Sequence, residues 1–238
     1  MSNNPDKPVV DIAYFTDVLC VWAYISQIRV DELKLQLGDK VHINYHFLTI
    51  FGCTEHRIGK RWEDRGGYKG FCRHVTECCQ PYPHVEVHPD IWRVNPPASS
   101  APCHLFLKAV QNLEGNGDIS EKPVKAHDNR TLFEAFCWRV RCAFFRDNRN
   151  IAELSTLYEL ADEMQLPTGL IERQINGGEA FAALCADNEK RETHKLDGSP
   201  TYLLNEGRQK LYGNVGYRII EANIEELLQR PQNMASWC

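Results

Sequence analysis

Strand-forming sequence in this chain is confined to its two ends, and that split limits the available folds more than any other feature. Near the start, Val9-Val10-Asp11-Ile12-Ala13-Tyr14-Phe15 is an almost unbroken apolar run, the pattern of a strand covered on both faces. Trp22, Ile25, Ile28, Leu33 and Leu37 then recur at helical spacing until Gly38-Asp39 stops them, and residues 41–47 alternate as a second strand. Near the end, residues 201–204 and 209–212 read as strands joined by the turn Asn205-Glu206-Gly207-Arg208. Gly213-Asn214-Val215-Gly216 leads into a last helix with Ile219, Ile220, Ile224, Leu227 and Leu228 on its apolar face. Between these ends, residues 52–194 carry helical patterns, clearest over 99–114, 131–145, 151–164 and 179–194. Thr168-Gly169-Leu170-Ile171-Glu172 reads as a cap ahead of a shorter helix. The order is therefore β-α-β, a helical block, then β-β-α.

A chain of 238 residues is long enough for one large domain or for a domain with a substantial insertion. Its 43% hydrophobic and 25% charged residues are ordinary for a globular protein, and a net charge of −5 gives no support to a nucleic-acid partner. Arg57, Lys60, Arg61 and Arg65 form a local basic run that reads as a solvated helix face. Residues 1–8 lack the apolar core of a secretory signal, and nothing approaches the ~20 apolar residues of a membrane span. A cytoplasmic protein without a membrane partner is the expectation. Its ten cysteines are then expected as thiols, with Cys137, Cys142 and Cys185 packed inside apolar helical patterns and Cys238 exposed at the terminus.

One cysteine stands apart. Cys20, in Cys20-Val21-Trp22-Ala23, follows the first strand and opens the first helix. Almost the whole chain later, Gly198-Ser199-Pro200-Thr201 forms a turn-like tetrapeptide just before a strand. The stretch Phe15-Thr16-Asp17-Val18-Leu19-Cys20-Val21-Trp22-Ala23-Tyr24, with Gly198 through Asn205 and Leu211-Tyr212-Gly213-Asn214, resembles the DsbA-like branch of the thioredoxin superfamily. Glu134-Ala135-Phe136 and residues 154–161 resemble the helical insertion of that group. The resemblance covers nearly all of the chain and implies an α/β, thioredoxin-like fold. It implies a discontinuous thioredoxin-like domain, 8–52 and 195–238, with a helical insertion domain at 53–194. Similar groups include FrnE-like oxidoreductases, 2-hydroxychromene-2-carboxylate isomerases and kappa-class glutathione transferases. The chain departs from the dithiol members at Ala23, where they carry cysteine, and from the isomerase and kappa enzymes at Cys20, where serine is usual.

Cys20 sits where the first turn of a helix leaves N–H groups without partners, a place that favours thiolate over thiol. Such cysteines fall from ~8.5 to roughly 3.5–7, although the carboxylate of Asp17 would oppose the shift if it faced the sulfur. Pro200 is expected to be cis, leaving the Ser199 backbone to hydrogen-bond an extended thiol peptide beside Cys20. Trp22, Ala23 and Thr201 flank the same place as substrate or glutathione contacts. Asn214, before the last helix, is a candidate for holding a glutathione carboxylate. The Pro-rich stretch 81–97 is a candidate pocket loop through Tyr82, His84, His88 and Trp92.

Because Ala23 replaces the second cysteine, a mixed disulfide on Cys20 has no partner inside the motif. A second glutathione could release it, or a distant thiol among Cys53, Cys72, Cys78, Cys79 and Cys103. Alternatively, Cys20 holds or activates glutathione for isomerisation or conjugation of a small aromatic compound. Cys78-Cys79 with His84 and His88 lacks zinc-site spacing, so no metal is expected, and no phosphate-binding glycine motif points to a nucleotide. The leading expectation is a cytosolic DsbA-like thiol–disulfide oxidoreductase using Cys20 with glutathione or a partner thiol. The alternatives are a glutathione-dependent isomerase or transferase and a non-catalytic thioredoxin-like module that binds thiol peptides. A homodimer is what the resemblance adds.

Overall fold

The computed structural model describes residues 8–229. The first apolar run forms β1 (Val10–Thr16), which lies inside the sheet because it has a partner on each side. It pairs in parallel with β2 (Val41–Phe47), Val10 opposite Val41, and antiparallel with β3 (Thr201–Leu204), Phe15 opposite Thr201. β3 pairs antiparallel with β4 (Gln209–Tyr212), so the strand order is β2-β1-β3-β4. A parallel β1–β2 pair requires a crossover, which α1 (Val21–Leu37) supplies. The helix stops where Gly38 turns to φ 50°, a conformation that glycine adopts without a Cβ clash.

Six helices separate β2 from β3 in the chain: α2 (Gly67–Cys79), α3 (Ala101–Gly115), α4 (Leu132–Phe145), α5 (Leu154–Glu163), α6 (Thr168–Gly177) and α7 (Glu179–Thr193). The last helix, α8 (Tyr217–Gln229), follows β4. Thr131 and Glu134 form a reciprocal capping box at the start of α4. Polar side chains fasten the helices to the sheet. Asp187 in α7 accepts the Phe47 N–H at 2.7 Å, meets His46 Nδ1 at 2.6 Å and pairs with Lys108 Nζ at 2.7 Å. The buried Arg141 in α4 donates to Gln27 Oε1 at 2.7 Å and Thr16 Oγ1 at 2.6 Å, so α4 grips both α1 and the end of β1. Among the described residues, no helix is long and apolar enough to cross a membrane.

Several local expectations need correction. The sequence pattern gives no warning of α2, whose residues mix glycine, cysteine and charge in Gly67-Tyr68-Lys69-Gly70-Phe71-Cys72-Arg73. Thr168 is the first residue of α6 and not its cap; Pro167 occupies the cap position. Ile28 and Ile219 are exposed despite their apolar spacing, because Ile28 lies on the side of α1 away from Val30 and Leu33, and Ile219 lies off the Ile220, Ile224 and Leu227 stripe of α8. Cys137 and Cys142 are buried, whereas Cys185 on the outer side of α7 is exposed. Cys238 lies outside the described residues.

Candidate active site

Cys20 is the N-cap of α1, with extended backbone (φ −82°, ψ 116°), and its carbonyl accepts the Tyr24 N–H at 3.0 Å to begin the helix. Asp17 shapes the approach: Oδ1 accepts the Leu19 N–H at 2.9 Å, and its backbone carbonyl accepts the Cys20 N–H at 3.1 Å. The Cys20 side chain is only 6% exposed, and its Sγ donates to the Ser199 carbonyl at 3.1 Å. The Ser199–Pro200 peptide bond is cis. Ser199 Oγ accepts the Asp17 N–H at 2.8 Å, and Thr201 Oγ1 donates to the Gly198 carbonyl at 2.8 Å. The two ends of the chain are thus joined at Cys20 by hydrogen bonds on both sides.

Asp17 is the centre of this arrangement. It is fully buried, and Oδ2 accepts from the Phe51 N–H at 2.8 Å and the Ser100 hydroxyl at 2.9 Å. Burial alone would raise its pKa, but nearby His104 and the N–H groups of Phe51 and Leu19 outweigh it and hold the carboxyl below its usual range. One carboxylate therefore links the Cys20 turn, the segment leaving β2 and the start of α3.

The thiolate expected at Cys20 meets a counter-force that sequence position does not reveal. Burial pushes the Cys20 thiol up, and the Asp17 charge adds to the rise. Ser199 and the N–H groups of Ala23 and Trp22 pull the other way, but the balance stays above the ordinary value. In this structure the helix start stabilises the sulfur anion without making it the resting form. The S–H bond to Ser199 fits that protonated state.

Cys20 opens on a cavity of about 350 Å³, whose wall includes Trp22, Phe51, Arg57, Arg61, Trp62 and Phe71. His74 of α2 and the tetrapeptide residues Gly198 and Ser199 also face it. The basic run reads in sequence as a solvated face, and Lys60, Arg61 and Arg65 are exposed. A π-helical turn over Glu55–Lys60 carries Arg57 toward the cavity instead, its guanidinium 4.8 Å from the centre of the Phe51 ring. A larger cavity of about 450 Å³ lies beside β2, lined by Lys34, Glu114 and Glu134, but it holds no cysteine and its Lys34 and Glu134 are already paired.

The 81–97 stretch does not form the cavity wall. Trp92 is fully buried, its ring 5.6 Å from Phe51, 5.4 Å from Phe71 and 4.9 Å from Phe144, so it supports the wall from behind. His84 Nε2 meets the Ile25 carbonyl at 3.0 Å, and His88 Nδ1 accepts the Asp90 N–H at 3.1 Å. Tyr82 accepts a hydrogen bond from Asn214 Nδ2 at 2.8 Å, while Asn214 Oδ1 accepts from Arg29 at 2.6 Å. Asn214 and Tyr82 are thereby tied to each other and stand apart from the Cys20 cavity. Among the described residues, no group of three or more His, Cys, Asp or Glu side chains is placed to hold a metal ion.

No protein-family model and no curated protein matches the chain. Solved structures do. A candidate protein disulfide isomerase from Nitrosomonas europaea aligns with a TM-score of 0.71 at 13% identity, covering 93% of this chain and 98% of its own. The cytosolic disulfide reductase DsbM from Pseudomonas aeruginosa, solved with GSH, aligns with a TM-score of 0.63 at 18% identity, covering 90% and 99%. A 2-hydroxychromene-2-carboxylate isomerase aligns with a TM-score of 0.60 at 14% identity, covering 95% and 100%. The fold of this chain is the DsbA-like form of the thioredoxin fold, its extra helices inserted between β2 and β3.

Proposed function

We propose that the protein is a cytosolic thiol–disulfide oxidoreductase in which Cys20 is a monothiol nucleophile and glutathione or a partner thiol is the co-substrate. The observation that carries this reading is the Cys20 sulfur at the first turn of α1, against Ser199 and at the mouth of a cavity bearing Arg57 and Arg61. Glutathione has two carboxylates, and guanidinium groups bind carboxylates through charge-assisted hydrogen bonds. The likeness to a disulfide reductase solved with GSH supports the same co-substrate.

In the reaction, Cys20 loses its proton and its sulfur attacks one sulfur of a disulfide. A mixed disulfide forms, and the other half leaves as a thiolate that takes up a proton. A second thiol then attacks the mixed disulfide, and Cys20 departs as an anion toward the Trp22 and Ala23 N–H groups.

The aromatic wall formed by Trp22, Phe51, Trp62 and Phe71 favours a second reading, a glutathione-dependent isomerase or transferase acting on a small aromatic compound. One experiment separates the two. Reduction of a glutathione mixed disulfide is measured in wild type and Cys20→Ser, alongside glutathione binding by calorimetry. On the first reading Cys20→Ser loses all reductase activity. If wild type lacks reductase activity while both proteins bind glutathione equally, the second reading replaces the first.

A further inference from the structure

The Cys20 cavity is lined on one side by His74 of α2, and that ring in turn touches a second thiol. His74 lines that cavity with Cys20, and its ring nitrogens lie 3.6 Å (Nε2) and 3.8 Å (Nδ1) from the Cys78 Sγ. The two residues are four apart on α2, where side chains share a face, and α2 packs against α1. We infer that Cys78, with His74 as its base, resolves the mixed disulfide formed on Cys20 and so replaces the cysteine missing at Ala23. The inference rests on the oxidoreductase reading.

The other described candidates are placed against this role. Cys53 is exposed and lies outside α2, the helix whose face His74 and Cys78 share. Cys72 donates its S–H to the Pro89 carbonyl at 3.4 Å, away from Cys20. Cys79 faces the core, where burial pushes its thiol up to about 12, and Cys103 is fully buried and shifted well above its ordinary value. Cys78 is half-buried, and the charge of a Cys20 thiolate is felt at its sulfur. Burial, Glu77 and Cys20 all push the Cys78 thiol up, so it needs a base. Burial lowers the His74 pKa, which leaves a neutral imidazole at pH 7 able to accept that proton.

The chemistry balances. Cys20 first forms a mixed disulfide with one half of a substrate disulfide, releasing the other half as a thiol. Cys78 gives its proton to His74, and its sulfur attacks the Cys20 sulfur. A Cys20–Cys78 disulfide forms, and the second substrate half leaves as a thiolate that recovers the proton. Two molecules of a small thiol such as glutathione then reduce the internal disulfide and leave joined as their own disulfide. Both cysteines are reduced in this structure, and the bond forms when the last turn of α2 brings the two Cα atoms within roughly 7 Å.

The test uses oxidised glutathione on the full chain, followed by peptide mapping by mass spectrometry. Wild type is expected to pass through glutathionylated Cys20 to a Cys20–Cys78 disulfide, with free glutathione released. Cys78→Ser and Cys78→Ala, two variants that keep the inference testable if one folds poorly, are expected to hold glutathione on Cys20. His74→Asn is expected to slow the release by on the order of 100-fold. If wild type keeps glutathione on Cys20 as long as the Cys78 variants do, the inference is overturned and the oxidoreductase reading stands. If Cys20 takes up no glutathione in any variant that retains it, both fall.

Discussion

Replacing Asp17 should cost more stability than replacing any other polar residue around Cys20. Its carboxylate accepts the Leu19 N–H at 2.9 Å, the Phe51 N–H at 2.8 Å and the Ser100 hydroxyl at 2.9 Å, and all of these lie out of water. Hydrogen bonds to a charged group contribute about 1.5–3 kcal/mol each. Three would total about 5–9 kcal/mol if they added, but they share one acceptor, and the freed donors relax in part. We therefore take about 4–5 kcal/mol for Asp17→Ala, near the figure for breaking a buried charge network. At ~2–4 °C per kcal/mol for a chain of this size, the melting temperature should fall by about 8–20 °C.

The pH dependence gives an independent check. The folded-state pKa of Asp17 is depressed, so its contribution is complete above the unfolded value of ~3.9 and is lost as pH falls through the folded value. Urea unfolding of wild type and Asp17→Ala should differ most, and by a constant amount, between about pH 6 and 8. The gap should begin to shrink below about pH 4, as the unfolded carboxylate is protonated, and go on closing as pH falls through the lower folded-state value. A gap under about 1 kcal/mol at neutral pH, or one unchanged on acidification, would refute the account of Asp17 as an ionised hub.

Alkylation of Cys20, followed by peptide mapping, should titrate above the ~8.5 of a free thiol, because burial outweighs the helix start. Asp17→Asn should shift that midpoint downward by removing the negative charge, while lowering stability. Arg57→Ala and Arg61→Ala should each reduce kcat/KM for glutathione by about 10–100-fold, the equivalent of one charge-assisted bond, and the loss should shrink in high salt. Unchanged kinetics in both would remove the arginines from substrate binding. Gly70→Ala should destabilise by several kcal/mol, since a Cβ there collides with the Arg65 backbone carbonyl, which has no rotamer by which to move. Calorimetry would read this as a lowered melting temperature, whereas Gly169→Ala, with nothing near its Cβ position, should be close to neutral.

The parts of this molecule that are legible in sequence are those set by short-range pattern. The unbroken apolar run of β1 reports its place between β2 and β3, and the Cys20 junction reports a strand handing over to a helix. The pairing of Cys20 with Ser199, 179 positions apart, followed from resemblance and not from periodicity. What was missed depends on direction and context. Arg57 looks like part of any basic helical face, and the π-helical turn after β2 aims it toward the Phe51 ring. Trp92 carries the composition of a binding loop, but three aromatic neighbours claim its ring for the core. The raised pKa of Cys20 has the same kind of cause. Helix-start geometry is local and visible in sequence, whereas the burial that opposes it comes from packing that sequence position does not show.

Ala23 separates two roles that a Cys-x-x-Cys pair combines. The second position of such a pair supplies a resolving thiol and a backbone N–H to the first sulfur; Ala23 keeps the N–H and discards the thiol. On the oxidoreductase reading, the transition state for breaking a mixed disulfide is therefore still stabilised when Cys20 leaves, while the attack that starts it comes through the cavity. The buried sulfur bonded to Ser199 opens on that cavity, so on this reading the lifetime of the mixed disulfide depends on what the cavity admits. Trp62→Ala makes this measurable: opening the wall should speed attack by bulky thiols more than by glutathione. Equal acceleration of all thiols would mean that the sulfur is reached by a route other than the cavity.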